Sequence, residues 1–176
     1  MIHDLPNETL AEADDSLEAK DPPVTYHIDP VWYAKVGKSF SLLLRGRMCS
    51  SCRQKFGTQH EERVPTHDEK TGKVTFEVKR TTYGEDPVAV IQSCCSKAAD
   101  FIGPGMPIKE IIFRILLSAG NEPLEMEEIK RRLDEHLGSL RATHNTSIEV
   151  IKRLLDRDNF YGIRPVEAPE VSSAAS

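Results

Sequence analysis

With 176 residues, 39% of them hydrophobic and only 6% aromatic, the chain has material for one or two small domains with modest cores. No apolar run approaches the roughly 18 to 20 residues that cross a bilayer, and the opening MIHDLPNETLAEADD has neither the basic start nor the apolar stretch of a secretion signal. No membrane partner is expected; a cytoplasmic setting is, where thiols stay reduced and four cysteines point to metal binding or redox chemistry before disulfides.

The net charge of −5 conceals an asymmetry. Residues 1–30 carry one Lys against eight acidic side chains, residues 31–105 carry twelve basic against eight acidic, and residues 106–165 balance at ten each. An acidic arm therefore precedes a basic middle.

Residues 1–29 are acidic, punctuated by proline and poor in large apolar side chains, so they are expected to form a disordered arm. Residues 30–105 read as β-rich. FSLLLRG at 40–46 is a short apolar strand candidate, and KVTFEVKR places Val74, Phe76 and Val78 on one face by strict alternation. The turn signal DEKTG ahead of it predicts a hairpin with EERVP. Ser93 then caps a predicted short helix, CCSKAADF, which stops at the breaker GPGMP.

From residue 106 to 166 the apolar period changes from two to 3.6. Ile108, Ile111, Ile112, Ile115 and Leu116 line one stripe, and Met126, Ile129, Leu133 and Leu137 line a second. Ile148, Ile151, Leu154 and Leu155 line a third, behind Thr146 or Ser147 as cap, and FYGIRPV reads as extended. Residues 167–176 form a plain tail, expected to be disordered.

The cysteines organise the middle. CSSCRQKFG places Cys49 and Cys52 around a two-residue gap, the spacing that lets both sulfurs face one ion, and Gly57 permits the turn that follows. The predicted hairpin carries the chain back to Cys94 and Cys95, which are adjacent. Adjacent helical residues diverge by about 100°, so both ligate only if the backbone bends there; otherwise one of them ligates and His60 or His67 completes the set. Against this stand two alternatives: Cys94 and Cys95 are small core residues and CSSC a turn, or Cys49 and Cys52 cycle as a redox pair.

Knuckle, hairpin and ligands at a helix start resemble the treble-clef or zinc-ribbon group of modules over about 47 residues, with C-C in place of the usual second C-x2-C. The resemblance implies a structural Zn²⁺ held by Cys49, Cys52, Cys94 and Cys95, with no open position for water. Three helices followed by an extended segment resemble the winged helix-turn-helix superfamily in their lengths and apolar positions. The fold expected is α+β: a small β-rich zinc-binding domain, then a three-helix winged-helix domain.

That second resemblance implies DNA binding through the third helix, with a role in transcription. His144, Asn145, Thr146 and Ser147 would meet base edges, while Arg141, Lys152, Arg153, Arg157 and Arg164 would neutralise phosphates. Lys35, Lys38, Arg45, Arg47, Arg53 and Lys55 add a second basic patch, interleaved with Phe40 and Phe56. Glu149, Asp156 and Asp158 weigh against a dedicated DNA reader, so a protein–protein adaptor in a larger complex is the alternative and a thiol oxidoreductase the third. No enzyme is expected otherwise: the chain has no glycine-rich phosphate loop, nucleophile elbow or H-E-x-x-H spacing.

Overall fold

Tyr26 and Ile28 alternate with polar neighbours and are fully buried, which makes Thr25–Ile28 a half-buried strand, β1. The computed structural model, which describes residues 23–67, 69–138 and 146–166, places β1 at the centre of a three-stranded antiparallel sheet. Its neighbours are β4 (Leu124–Glu125) and β5 (Ile163–Pro165), with Tyr26 opposite Leu124 and Ile28 opposite Ile163. Residues 25–28, counted with the acidic arm in the sequence, thus belong to the core sheet, because four residues behind a proline pair are too few to display their alternation.

Three short helices follow. In α1 (Pro30–Lys35) the Asp29 side chain accepts from Val31 N at 2.8 Å and Pro30 supplies a fixed φ at the first position. The segment read as a strand at FSLLLRG is instead helix α2 (Phe40–Arg45). Ser39 caps it, accepting from Leu42 N at 3.3 Å, and a run of three leucines carries no period with which to tell a strand from a helix. After α3 (Ser50–Lys55), β2 (Gln59–His67) and β3 (Val74–Thr82) form the expected hairpin, with Pro65 opposite Phe76.

The next helix, α4 (Pro87–Ser93), ends where the sequence predicts a start. Asp86 accepts from Val88 N and Ala89 N, while the Ser93 hydroxyl turns back to donate to Ala89 O at 2.7 Å. Ser93 therefore closes this helix, and a single 3₁₀ turn, Cys95–Lys97, follows.

Helices α5 (Ile108–Ser118), α6 (Met126–Leu137) and α7 (Ile148–Asp156) occupy the predicted stretches with the predicted stripes inward. Burial of α5 is nearly complete around its circumference, so it is the central helix of the body. Two features tie it to its surroundings. Asn121, at φ 62°, accepts from Ile28 N at 2.7 Å and donates to Ile28 O at 2.8 Å, holding β1 as a strand would. Glu110 lies between two guanidinium groups: Arg47 bonds both carboxylate oxygens (3.1 and 2.8 Å), and Arg114 Nε donates at 2.7 Å. One continuous core runs from Ile163 and Ile28 through α5 to Leu44, Met48, Cys52 and Cys95. Among the described residues no helix is long and apolar enough to cross a membrane.

Burial opposes ionisation of Glu110, but the hydrogen bonds and charges of Arg47 and Arg114 outweigh it and hold the carboxyl below its usual range. Glu110→Ala leaves two guanidinium groups facing each other and is expected to cost about 3 kcal/mol of stability, read from urea unfolding. A depressed pKa contributes stability above the ordinary Glu value that is lost as pH falls through the folded one. The two proteins' stabilities should therefore converge as pH drops below about 4.3.

Candidate metal centre

The knuckle is shaped by what flanks it. Met48 is buried in the core and Cys52 sits in the first turn of α3, also buried, so the intervening Cys49 is pinned at the helix entrance. Past α3 the hairpin closes on itself: Tyr83 N donates to Thr58 O and Gly57 N donates to Tyr83 O, each at 2.8 Å. Gly57 has φ 84°, a conformation that favours glycine. Gly84 shares that angle, and a Cβ there would stand 2.4 Å from the Phe56 ring. Helix α4 then returns the chain to the knuckle and delivers Cys94 and Cys95 at its end.

The backbone turns sharply between those two residues, with Cys94 at φ −125° and ψ −65° and Cys95 opening the 3₁₀ turn. This bend is what lets adjacent cysteines face one point. The Sγ atoms of Cys49, Cys52 and Cys94 lie within 4.8 Å of one another. Cys95 joins them, its Sγ 3.6 Å from that of Cys49 and accepting from Cys49 N at 3.3 Å. Bonds of about 2.3 Å to a tetrahedral ion separate sulfurs by about 3.8 Å, close to the Cys49–Cys95 separation. Three sulfurs within 4.8 Å of one another, with the fourth against Cys49, are soft donors compatible with a metal ion. His60 and His67 are exposed on β2, the former bonded to the Thr81 hydroxyl at 2.9 Å, and neither belongs to the cluster.

Groups around the sulfurs differentiate them. The Ser51 hydroxyl, 3.3 Å from Cys49 Sγ, leads the hydrogen bonds that bring the Cys49 thiol down to about 6. Burial pushes Cys95 up to about 12, and the hydrogen bond and charge of Cys52 raise Cys94. Tyr83 donates its hydroxyl to Cys52 Sγ at 3.2 Å, a bond that raises the phenol itself to about 12 and directs the sulfur's remaining lone pairs. Neither Ser51 nor Tyr83 is marked in the sequence by any spacing rule; both are found only once the hairpin closes.

The residues expected to meet nucleic acid are arranged otherwise. Arg141, His144 and Asn145 lie outside the described residues. Thr146 is buried with its hydroxyl donating to Asp134 Oδ1 at 2.9 Å, and Ser147 caps α7. Lys152 pairs with Asp156 at 2.9 Å. Arg153 and Arg157 are exposed and make no ion pair among the described residues. Arg164 lies 5.2 Å from the Trp32 ring with its Nη1 donating to Asp158 O and Ile163 O, each at 2.9 Å, and Lys38 reaches both Trp32 (5.3 Å) and Phe160 (5.0 Å). A groove of about 580 Å³ beside them is lined by His27, Asp29, Trp32, Lys35 and Arg164. Of the basic residues near the knuckle, Arg47 is turned inward to Glu110, and Arg45 lies 5.3 Å from the Phe56 ring.

In reduced, metal-stripped protein at pH 7 the Cys49 thiol is mostly ionised, since its pKa lies below that pH. Iodoacetamide should therefore label Cys49 first and Cys95 last, followed by peptide mass spectrometry over time. Labelling that starts at Cys94, the exposed thiol, would contradict this account of the site.

Comparison with protein-family models, with curated proteins and with solved structures finds no match for this chain.

Proposed function

We propose that the chain is a zinc-containing winged-helix protein that binds nucleic acid in the cytoplasm and acts in transcription. On this reading the four cysteines form a zinc-ribbon-like module around a structural Zn²⁺. The winged helix comprises α5, β4, α6, α7 and β5, with β1 supplying its central strand. Zinc is favoured over harder ions because all four donors are sulfur. Convergence of four thiols, rather than two, is also what a thiol oxidoreductase would not require.

One observation carries the nucleic-acid reading: the cationic and aromatic surface where Lys38 and Arg164 flank Trp32, with Lys35 and His27 along the same groove. Cations there neutralise phosphates, and aromatic rings at the surface offer faces and edges to bases. This relocates the expected contact from the start of α7, where Thr146 and Ser147 are used within the fold, to the β5 side and the basic middle.

A second reading, the protein–protein adaptor, is favoured by a different groove. About 600 Å³ in volume, it runs beside α7 and is lined by Pro23, Val24, Tyr26, Met126 and Ile148. Its apolar walls suit a side chain of a partner better than a phosphate.

Metal analysis of protein purified without chelator is expected to give one zinc per chain, lost together with α4–knuckle structure when Cys52→Ser is introduced. Anisotropy of labelled DNA should show affinity falling linearly with log salt, and Lys35→Glu with Lys38→Glu should reduce the slope by about two. A salt-independent or absent affinity, with a stable complex in pull-downs, favours the adaptor.

A further inference from the structure

The hairpin of β2 and β3 is exposed along nearly its whole length on both faces. A two-stranded hairpin alone is marginal in water, and this one displays an apolar row of Val74, Phe76 and Val78, with Phe76 68% exposed. No third strand joins it among the described residues, so each strand has a free edge.

The two edges are unequal. Thr58 and Tyr83 continue the β2–β3 register, and Tyr83 N donates to Thr58 O at 2.8 Å. Bonded and unbonded pairs alternate along an antiparallel ladder, which makes Pro65 and Phe76 an unbonded pair with backbone groups turned outward. Pro65 has no N–H to present there, so the β2 edge is interrupted at its middle. On β3 the same alternation turns Val74, Phe76, Val78 and Arg80 outward with both donor and acceptor intact.

The strand is also complementary to itself in one register. With Val78 opposite Val78 of a second copy, Glu77 faces Lys79 of that copy and Lys79 faces its Glu77. Both are non-hydrogen-bonded pairs, in which cross-strand side chains stand closest. Phe76 then lies opposite Arg80, and Thr75 opposite Thr81. Centring on Glu77 would oppose two carboxylates, and centring on Phe76 would oppose Lys73 and Lys79. Within its own hairpin Glu77 faces Val64, so no cation stands directly across from it, whereas Lys79 faces Glu62, which makes E77K the cleaner of the two charge variants.

We propose that two copies of this chain associate through the free edge of β3, joining their hairpins into one four-stranded antiparallel sheet. The association needs no metal chemistry and no nucleic acid, so it stands apart from the function proposed above.

Sedimentation equilibrium of the full chain should give a mass near twice 19.8 kDa at high concentration. E77K and K79E should each weaken self-association about tenfold or more, because each opposes like charges at two symmetry-related pairs. Mixing the two variants should restore dimers, since each then meets the opposite charge. Both sites are exposed, and unchanged thermal unfolding of the variants would show that the fold is intact. A monomeric wild type, variants that still dimerise alone, or a mixture that stays monomeric would each overturn the proposal. Loss of dimers with Phe76→Thr but with neither charge variant would do the same, placing the contact on the apolar face instead of the edge.

Discussion

The Asn121 amide bonds both the N–H and the C=O of Ile28, which stands 93 residues earlier in the chain. Through that clasp β1 is held between β4 and β5, and everything from Asp29 to Pro107 becomes an excursion that leaves the central sheet and returns to α5. Anchoring both ends of a long segment removes part of the entropy that its own contacts would otherwise have to overcome. A small thiol-bearing module, with few large apolar side chains, is stabilised by that anchoring before any ion is bound.

A second link joins the module to the helices. Arg47 stands two residues ahead of Cys49 and is fixed from three sides: by Glu110, by the carbonyl of Leu43 at 3.0 Å, and by the Phe113 ring at 5.2 Å. Arg114 completes the arrangement, donating to Phe101 O at 2.7 Å. A buried carboxylate between two guanidiniums is compensated in charge and saturated in hydrogen bonds, so its value lies in geometry more than in net energy. It sets the orientation of the chain entering the knuckle, and hence the position of the first sulfur, against the central helix. Changes at the sulfurs and changes in α5 packing are mechanically connected through this one group.

Much of this was legible in the residues themselves. The C-x2-C spacing, the alternation of Val74, Phe76 and Val78, and the three helical stripes each carry a period or a gap that physics converts directly into structure. What failed to show did so for identifiable reasons. Leu42, Leu43 and Leu44 are apolar in succession, and nothing in such a run distinguishes α2 from a strand. Ser93 looked like a helix start because serine caps helices, but Asp86-Pro87 is the stronger start and lies upstream. The adjacency of Cys94 and Cys95 argued against joint ligation only for a straight helix, and the break at Cys94 removes that objection. Asn121 and Tyr83 act across long sequence separations, which no local pattern encodes.

The sheet also places the first and last described strands side by side. Val166 N donates to Thr25 O at 2.8 Å, so the backbone enters and leaves the body at one corner. Such a body has in effect a single attachment point: the acidic sequence ahead of residue 23 and the segment after residue 166 are tethered to the same spot. It can be joined to other sequences from either side, or permuted by linking those ends and reopening the chain at the exposed turn between β2 and β3, without cutting any strand of the core sheet.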